Sequence, residues 1–439
     1  MRLEIAMENK IMRSSFVSAS CLALAVSAVA AVPTAEVTSM AMESGNLVVN
    51  YTLSADAIVT AEVQTNITGT AAGGEFAPVA AEHFTRVEGD AFKVVSGGAS
   101  KSFKWRACRE MPDVTLPAGA VRVKLTVWPT NDAPDYLVVD MTATEPNGKF
   151  VVNYYPSVEF IPHGITNEMY KAAKFPMRRM RATGVEWQMG SWGEYNRSDS
   201  AASERAHLLT MDHDYYMAVY EMSIGHRAHL YGSNDNLDNT RPYKNCAYNI
   251  MRGVSHWPDS PASDSQLAIL GAKLPFDLDL PSEAEWEFAA RAGHGEERWG
   301  NGLPFTGGAS DANLGKIAFF GGNNNSVSGG WSSGSAMTNI GTKASNDYGI
   351  FDMNGNAREL TLDWYQADIT WNHDGRPNAS GFALADGITT RTDNDMIVAK
   401  GGCYATYAVG CRPASREILK PGDYTDHTGL RCVTRSIIK

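Results

Sequence analysis

Between residues 176 and 437 the chain offers one clear helix and little other regular periodicity. Pro281 precedes Ser282-Glu283-Ala284-Glu285, a capping box in which the serine hydroxyl and the Glu285 carboxylate satisfy free N–H groups of the first turn. Trp286, Ala289, Ala290 and Gly293 then fall at i, i+3, i+4 and i+7, which predicts one buried face. Gly293 suits a left-handed stop. A weaker helix is expected from Asn245 to Arg252. The rest of this stretch is dense in Trp, Gly and Asn and reads as loop. Long structureless loops are uncommon in compact domains, so metal ions, disulfides or buried Trp must hold them.

Residues 33 to about 145 differ in character. Asn46–Leu53, Ala57–Thr65, Val121–Trp128 and Asp135–Met141 alternate or cluster β-branched residues, with Ser96-Gly-Gly and Pro117-Ala-Gly as punctuation. This predicts an all-β, immunoglobulin-like sandwich over residues 32–145. Residues 146–175 read as a linker, and residues 176–437 as the second domain. At the other end, Lys10 and Arg13 precede the apolar run Phe16–Val32, which contains Ala28-Val29-Ala30. A basic start, an apolar run and an A-x-A end describe a secretory signal peptide over residues 1–31. The run is shorter than the roughly 20 residues a spanning helix needs. The chain is therefore expected to be exported, as a secreted, periplasmic or cell-surface protein with no membrane span once processed.

Composition narrows the functional classes. The chain has 38 Lys+Arg against 49 Asp+Glu, a formal charge of −11. That balance argues against a nucleic-acid partner, because such affinity rests on clustered Lys and Arg. With Cys21 in the leader, Cys108, Cys246, Cys403, Cys411 and Cys432 are left, an odd number that leaves at least one thiol unpaired in a monomer. No Cys-x-x-Cys occurs, which disfavours a zinc knuckle.

Several separated motifs then carry a resemblance. Leu280-Pro-Ser-Glu-Ala-Glu-Trp-Glu-Phe-Ala-Ala-Arg-Ala-Gly293 is followed by Tyr348-Gly-Ile-Phe-Asp-Met-Asn-Gly-Asn-Ala-Arg-Glu359, Asp363-Trp364-Tyr365, Lys400-Gly-Gly402, Cys411-Arg-Pro-Ala-Ser-Arg416 and Gly429-Leu-Arg-Cys432. Trp187–Ser191 and Tyr216–Glu221 look like opening strands of the same domain. In order and spacing the set resembles the formylglycine-generating enzyme, or sulfatase-modifying factor, family. The resemblance implies an α+β, C-type-lectin-like fold with little regular structure.

It also implies two metals. For structural calcium, Asp352 and Glu359 would give side-chain oxygens and Gly355 and Ala357 carbonyls, around a tight glycine turn of the kind that presents oxygens to this ion. The family's tryptophans beside the glutamate are Arg358 and Leu360 here, and Arg358 could compete for Glu359. A second calcium site would involve Asn313 and Leu314. Active members hold Cu(I) between two cysteines and use O₂ to oxidise a substrate cysteine to formylglycine. Counted from Gly402, those positions are Thr406 and Cys411, and the family's serine after Gly-Gly is Cys403. A threonine hydroxyl is a hard, neutral ligand and does not replace a thiolate. The copper pair is thus either lost or rearranged as Cys403/Cys411. A Cys403–Cys411 disulfide, or Cys246 paired with Cys432, are the bland alternatives.

Other motifs say less. His226-x-x-His229 could be a metal pair on a helix but lacks a carboxylate at ligand spacing, and a surface position is expected. The expectation is a monomeric accessory or binding protein for a protein or glycan ligand, with a sulfatase as one candidate. Tyr404–Gly410 and Asp423–Thr428 are the adaptable contact loops. The competing expectation is a copper oxidase acting through Cys411 and Cys403.

Overall fold

Asn46–Leu53 buries Leu47, Val49, Tyr51 and Leu53 and turns the residues between them outward, the period of a strand with one face in a core. A computed structural model of the chain describes residues 32–66, 75–192, 203–254, 260–307, 310–323, 337–367 and 395–437. The expected signal peptide lies outside them. Asn46–Leu53 sits in a four-stranded antiparallel sheet, ordered Ala35–Glu43, Asn46–Leu53, Gly98–Trp105, Val87–Gly89. A second sheet forms around Ala57–Thr65, which pairs with Val121–Trp128, Lys93–Val95 and Ala77–Pro78. Val49, Tyr51, Val59, Val63, Phe103 and Trp105 share one core between the two sheets. The N-terminal part is an all-β sandwich.

The strand Tyr136–Thr144 does not join it. It lies in a five-stranded sheet ordered Phe150–Tyr155, Tyr136–Thr144, Lys174–Met180, Tyr215–Ala218, Val433–Thr434. Every neighbouring pair in it is antiparallel. The stretch read as a linker therefore holds a strand and two short 3₁₀ turns, Val158–Phe160 and Glu168–Lys171. Tyr136–Val139 is buried on both faces, and a continuous apolar run does not say which sheet it enters. The sandwich and this sheet are joined through the main chain, where Tyr154 N–H donates to Phe92 O at 2.7 Å. A further sheet runs Glu417–Leu419, Ile397–Lys400, Arg358–Trp364, Thr428–Gly429.

The helix Glu283–Arg291 forms with the expected capping box: Glu285 N–H donates to Ser282 Oγ at 3.1 Å, and Ser282 N–H to Glu285 Oε2 at 2.7 Å. Its left-handed end begins one residue early, at Ala292 (φ 51°), with Gly293 next (φ 85°). The larger departure is burial. All nine residues are buried, not one face. Each charged side chain has a partner that makes this possible. Arg416 binds both Glu283 oxygens (2.7 and 3.0 Å). Arg435 and His213 bind Glu285. Lys400 and Arg291 bind Glu287 at 3.0 and 2.7 Å.

Other helices are short. The expected Asn245–Arg252 helix is only Tyr248–Met251. Ile224–Tyr231 has a capping box that the sequence reading missed, because His226 stands where Glu or Gln is usual. His226 is buried, not at the surface. Its Nδ1 accepts Ser223 N–H at 3.2 Å, and its Nε2 faces the carbonyls of Tyr170 and Lys174. Burial lowers it to about 4, so it is a neutral imidazole with its proton on Nε2.

Burial alone would raise Glu285 and Glu287. The positive groups around them, Arg435 and His213 for the first, Lys400 and Arg291 for the second, outweigh it and hold both at about 2, below the ordinary 4.5. Between those pH values the unfolded chain binds more protons, so their stabilisation is complete above about 4.5 and lost as pH falls towards 2. Urea titrations across that range should show unfolding free energy falling with acid, with a shallower fall for Glu285→Gln. At neutral pH, Lys400→Met leaves Glu287 to Arg291 and Glu283 to Arg416, and loss of one of two cations should cost about 1–3 kcal/mol, less than stranding a buried charge outright.

Candidate functional site

The strand Ile397–Lys400 ends beneath the buried helix, and Gly401 and Gly402 turn the chain away from it with φ of 90° and 65°. A Cβ on Gly402 would lie 2.8 Å from Cys411 Sγ, so glycine is required both for the turn and for the approach of Cys411. Beyond the turn, Cys403, Thr406 and Cys411 are brought together. Thr406 Oγ1 accepts Cys403 N–H at 3.0 Å and lies 3.3 Å from Cys403 Sγ. Cys411 Sγ sits 3.7 Å from Thr406 O. A cleft of about 410 Å³ opens beside them, lined by Tyr365, Thr406, Ser415, Arg416, Glu417 and Ile418 among others. Thr406 faces that cleft, and both thiols are buried. Burial raises Cys403, and burial with the neighbouring Cys403 and Glu417 raises Cys411 well above its ordinary value.

A low-pKa thiolate is what metal binding and nucleophilic chemistry need. This environment favours the protonated thiol. The positions of the family's copper pair hold one thiol and one hydroxyl already engaged by Cys403, a donor set that does not fit linear Cu(I) coordination. Neither disulfide alternative is formed: Cys246, Cys403, Cys411 and Cys432 are all buried free thiols, and Cys108 is an exposed one.

The turn 352–359 is built by hydrogen bonds and an ion pair. Asp352 and Asn356 are left-handed (φ 60° and 63°). Glu221, which the sequence reading did not single out, accepts Asn356 Nδ2 and Ala357 N–H at 2.7 and 2.8 Å. Asn354 Nδ2 donates to Cys411 O at 2.8 Å and so ties this turn to the thiol pocket. Glu359 takes two guanidinium nitrogens of Arg431, the shorter contact 2.7 Å, and Trp286 Nε1–H at 2.6 Å. Arg358 does not compete for it and pairs with Glu417.

Calcium takes about six to eight oxygens. Both Glu359 oxygens are already occupied, and Arg431 supplies the positive charge. As placed, Asp352, Gly355, Ala357 and Glu359 do not fit the implied calcium cage. Asp352 Oδ1 makes no hydrogen bond. Burial, with Glu359 adding to it, pushes Asp352 up to about 6. Asn313 and Leu314 donate their N–H groups to Asp311, and the Asn313 carbonyl accepts Lys316 N–H. That turn, too, is satisfied by protein. Among the described residues, no group of three or more His, Cys, Asp or Glu is gathered for a metal.

Fold and site together define a mixed α+β domain whose loops are pinned by buried ion pairs around a cysteine pocket. Residues 251–436 match the sulfatase-modifying factor enzyme 1-like domain, and this part of the chain is a domain of that family. The formylglycine-generating enzyme of Thermomonospora curvata is 33% identical over 164 residues, which is 35% of this chain and 48% of that protein. The Mycobacterium tuberculosis enzyme of the same name is 31% identical over 159 residues, 35% of this chain and 50% of that protein. The chain spans about half the length of these curated relatives. Among solved structures, PvdO from Pseudomonas aeruginosa is 20% identical with a TM-score of 0.43, covering 59% of this chain and 94% of that one. No helix among the described residues is long and apolar enough to cross a membrane.

Sequence reasoning found the 400–416 motif and the turn but missed what neutralises them. Arg431 lies in the quoted Gly429-Leu-Arg-Cys432 motif, so its signal was present. Glu221 follows the apolar Val219-Tyr220, a context in which a lone acid must find a partner. Glu359→Gln should destabilise the protein by about 3–5 kcal/mol, because Arg431 is left buried without its counter-charge. Melting curves in excess Ca²⁺ and in EGTA should coincide for both variant and wild type.

Proposed function

We propose that this is an exported binding or accessory protein in which the sulfatase-modifying-factor-like domain acts as a scaffold and not as a copper oxidase. The observation that carries the reading is Thr406. It stands where the family's first copper cysteine is expected, its hydroxyl is committed to Cys403 (3.0 Å to N, 3.3 Å to Sγ), and Cys411 is held as a buried thiol. The proposed N-terminal module is immunoglobulin-like, and the leader directs export.

The contact face is the cleft rim and the two loops beside it. Ile418 lines the cleft and is 41% exposed, Val409 is 49% exposed, and Tyr424 on the 423–428 loop is 60% exposed. Exposed aliphatic and aromatic side chains on loops suit a protein partner, and a sulfatase is one candidate of that class.

Anaerobic Cu(I) titration of the reduced protein tests this. Wild type should bind no stoichiometric copper tightly, and Thr406→Cys should gain one equivalent. Tight wild-type binding that Cys411→Ser abolishes, together with aldehyde formation in a Cys-x-Pro-x-Arg peptide, would instead establish the oxidase.

A further inference from the structure

A second cleft, of about 330 Å³, lies where the sandwich meets the five-stranded sheet. It falls within the range of small-molecule pockets, roughly 300–1,000 Å³. Its apolar wall comes from the sandwich side, where Phe92 packs against Tyr155 of the sheet with ring centroids 5.5 Å apart, and Phe84 against Phe92 at 5.7 Å. Its polar wall comes from the sheet and the loop after it: Asp140, Asn153, His163 and Lys174. Asp140 and Lys174 pair at 2.9 Å and cancel in charge. Among the described residues, the Asn153 amide and the His163 imidazole make no side-chain hydrogen bond, so donors and acceptors of both kinds are available to a ligand.

Two further observations mark the cleft as built. Phe92 and His163, which both line it, hold φ of 59° and 63°; the histidine is an exposed turn residue of a type that visits this region readily, whereas the buried Phe92 is not. Left-handed conformations are costly for bulky residues and persist only where the surroundings impose them. Both walls are also pinned from behind. Tyr170 Oη donates to Pro162 O at 2.7 Å and Tyr220 Oη to Ile165 O at 3.0 Å, which fixes the loop carrying His163. Glu110 accepts the N–H groups of Thr85 and Arg86 at 2.7 and 2.8 Å, which fixes the opposite rim. A preformed site avoids the ordering cost of binding.

From this geometry we propose that the seam cleft binds a neutral, hydroxyl-rich ligand with an apolar ring face, a mono- or disaccharide unit. The internally cancelled charge disfavours ionic ligands. The half-buried rings of Phe84 and Tyr155, backed by the buried Phe92, meet the C–H face of a sugar ring, and the amide and imidazole meet its hydroxyls. The site is separate from the cysteine pocket and independent of the scaffold reading.

Titration calorimetry of the full chain with maltose, cellobiose, lactose and N,N′-diacetylchitobiose tests it. At least one disaccharide should bind saturably, and Asn153→Ala combined with His163→Gly should weaken it at least tenfold. Glycine is at ease at φ 63°, so the double variant should melt no lower than Asn153→Ala alone, which separates lost binding from lost fold. Co-sedimentation with starch, cellulose and chitin distinguishes the source: pelleting with the matching polymer marks a polysaccharide, and binding without pelleting marks a soluble sugar. If none of the four disaccharides binds wild type, or the double variant binds as wild type does, the assignment is overturned.

Discussion

The C-terminal domain depends on one arrangement: a helix whose charged residues are all buried and all paired. Glu283, Glu285 and Glu287 point in different directions from Glu283–Arg291, and each draws in a cation from a distant segment, Arg416, Arg435 and Lys400 respectively. In a domain with few regular elements, these pairs do what extended hydrogen-bond ladders do elsewhere. They fix where each loop passes. Buried ion pairs contribute little net stability over a well-packed apolar core, but breaking one by removing a partner is costly. The arrangement is better read as positional control. Its margin is narrow: among the described residues Asp363, next to Glu283, has only that residue's N–H as a hydrogen-bond donor, and burial together with Glu283 pushes it up to about 7.

This control reaches the cysteine pocket directly. Lys400 is the last residue before the Gly401-Gly402 turn, and Arg416 follows Cys411 on the far side of the same loop. Both ends of the loop that carries Cys403, Thr406 and Cys411 are thus anchored to the same helix. Asn354 ties its middle to the 352–359 turn, which Glu221 and Arg431 hold in turn. The loop that carries Cys403, Thr406 and Cys411 is thus held at both ends and along its length by side chains outside it.

The capping box and the segregation of a β-rich first part from a loop-rich second part were legible in the sequence because they are local. Capping needs residues three apart, and strand alternation needs a handful. What was not legible is non-local. Nothing near Tyr136–Thr144 says that it pairs with Lys174–Met180 and not with the sandwich. Nothing near Glu285 says that Arg435 will neutralise it, so one buried face was expected where all nine helix residues are buried. His226 was misread for the same reason, since its partners, the Tyr170 and Lys174 carbonyls, are far away in the chain. At the site, motif order located Thr406 and Cys411, whereas the metal ligands implied for Asp352 and Glu359 depended on whether a cation was already there. Arg431 is that cation.

The order of strands in the five-stranded sheet carries a consequence for how the chain is made. Its first strands, Tyr136–Thr144 and Phe150–Tyr155, leave the ribosome long before Val433–Thr434, which completes the edge next to Tyr215–Ala218. Arg431 and Arg435, the partners of Glu359 and Glu285, emerge with that last strand. Until they do, Glu359 lacks its arginine, Glu285 has His213 but not Arg435, and the sheet has an open edge. Contacts of such sequence separation make folding slow. The edge beside Tyr215–Ala218 and the arginines of Glu359 and Glu285 therefore come into place together, with the last residues of the domain to be made.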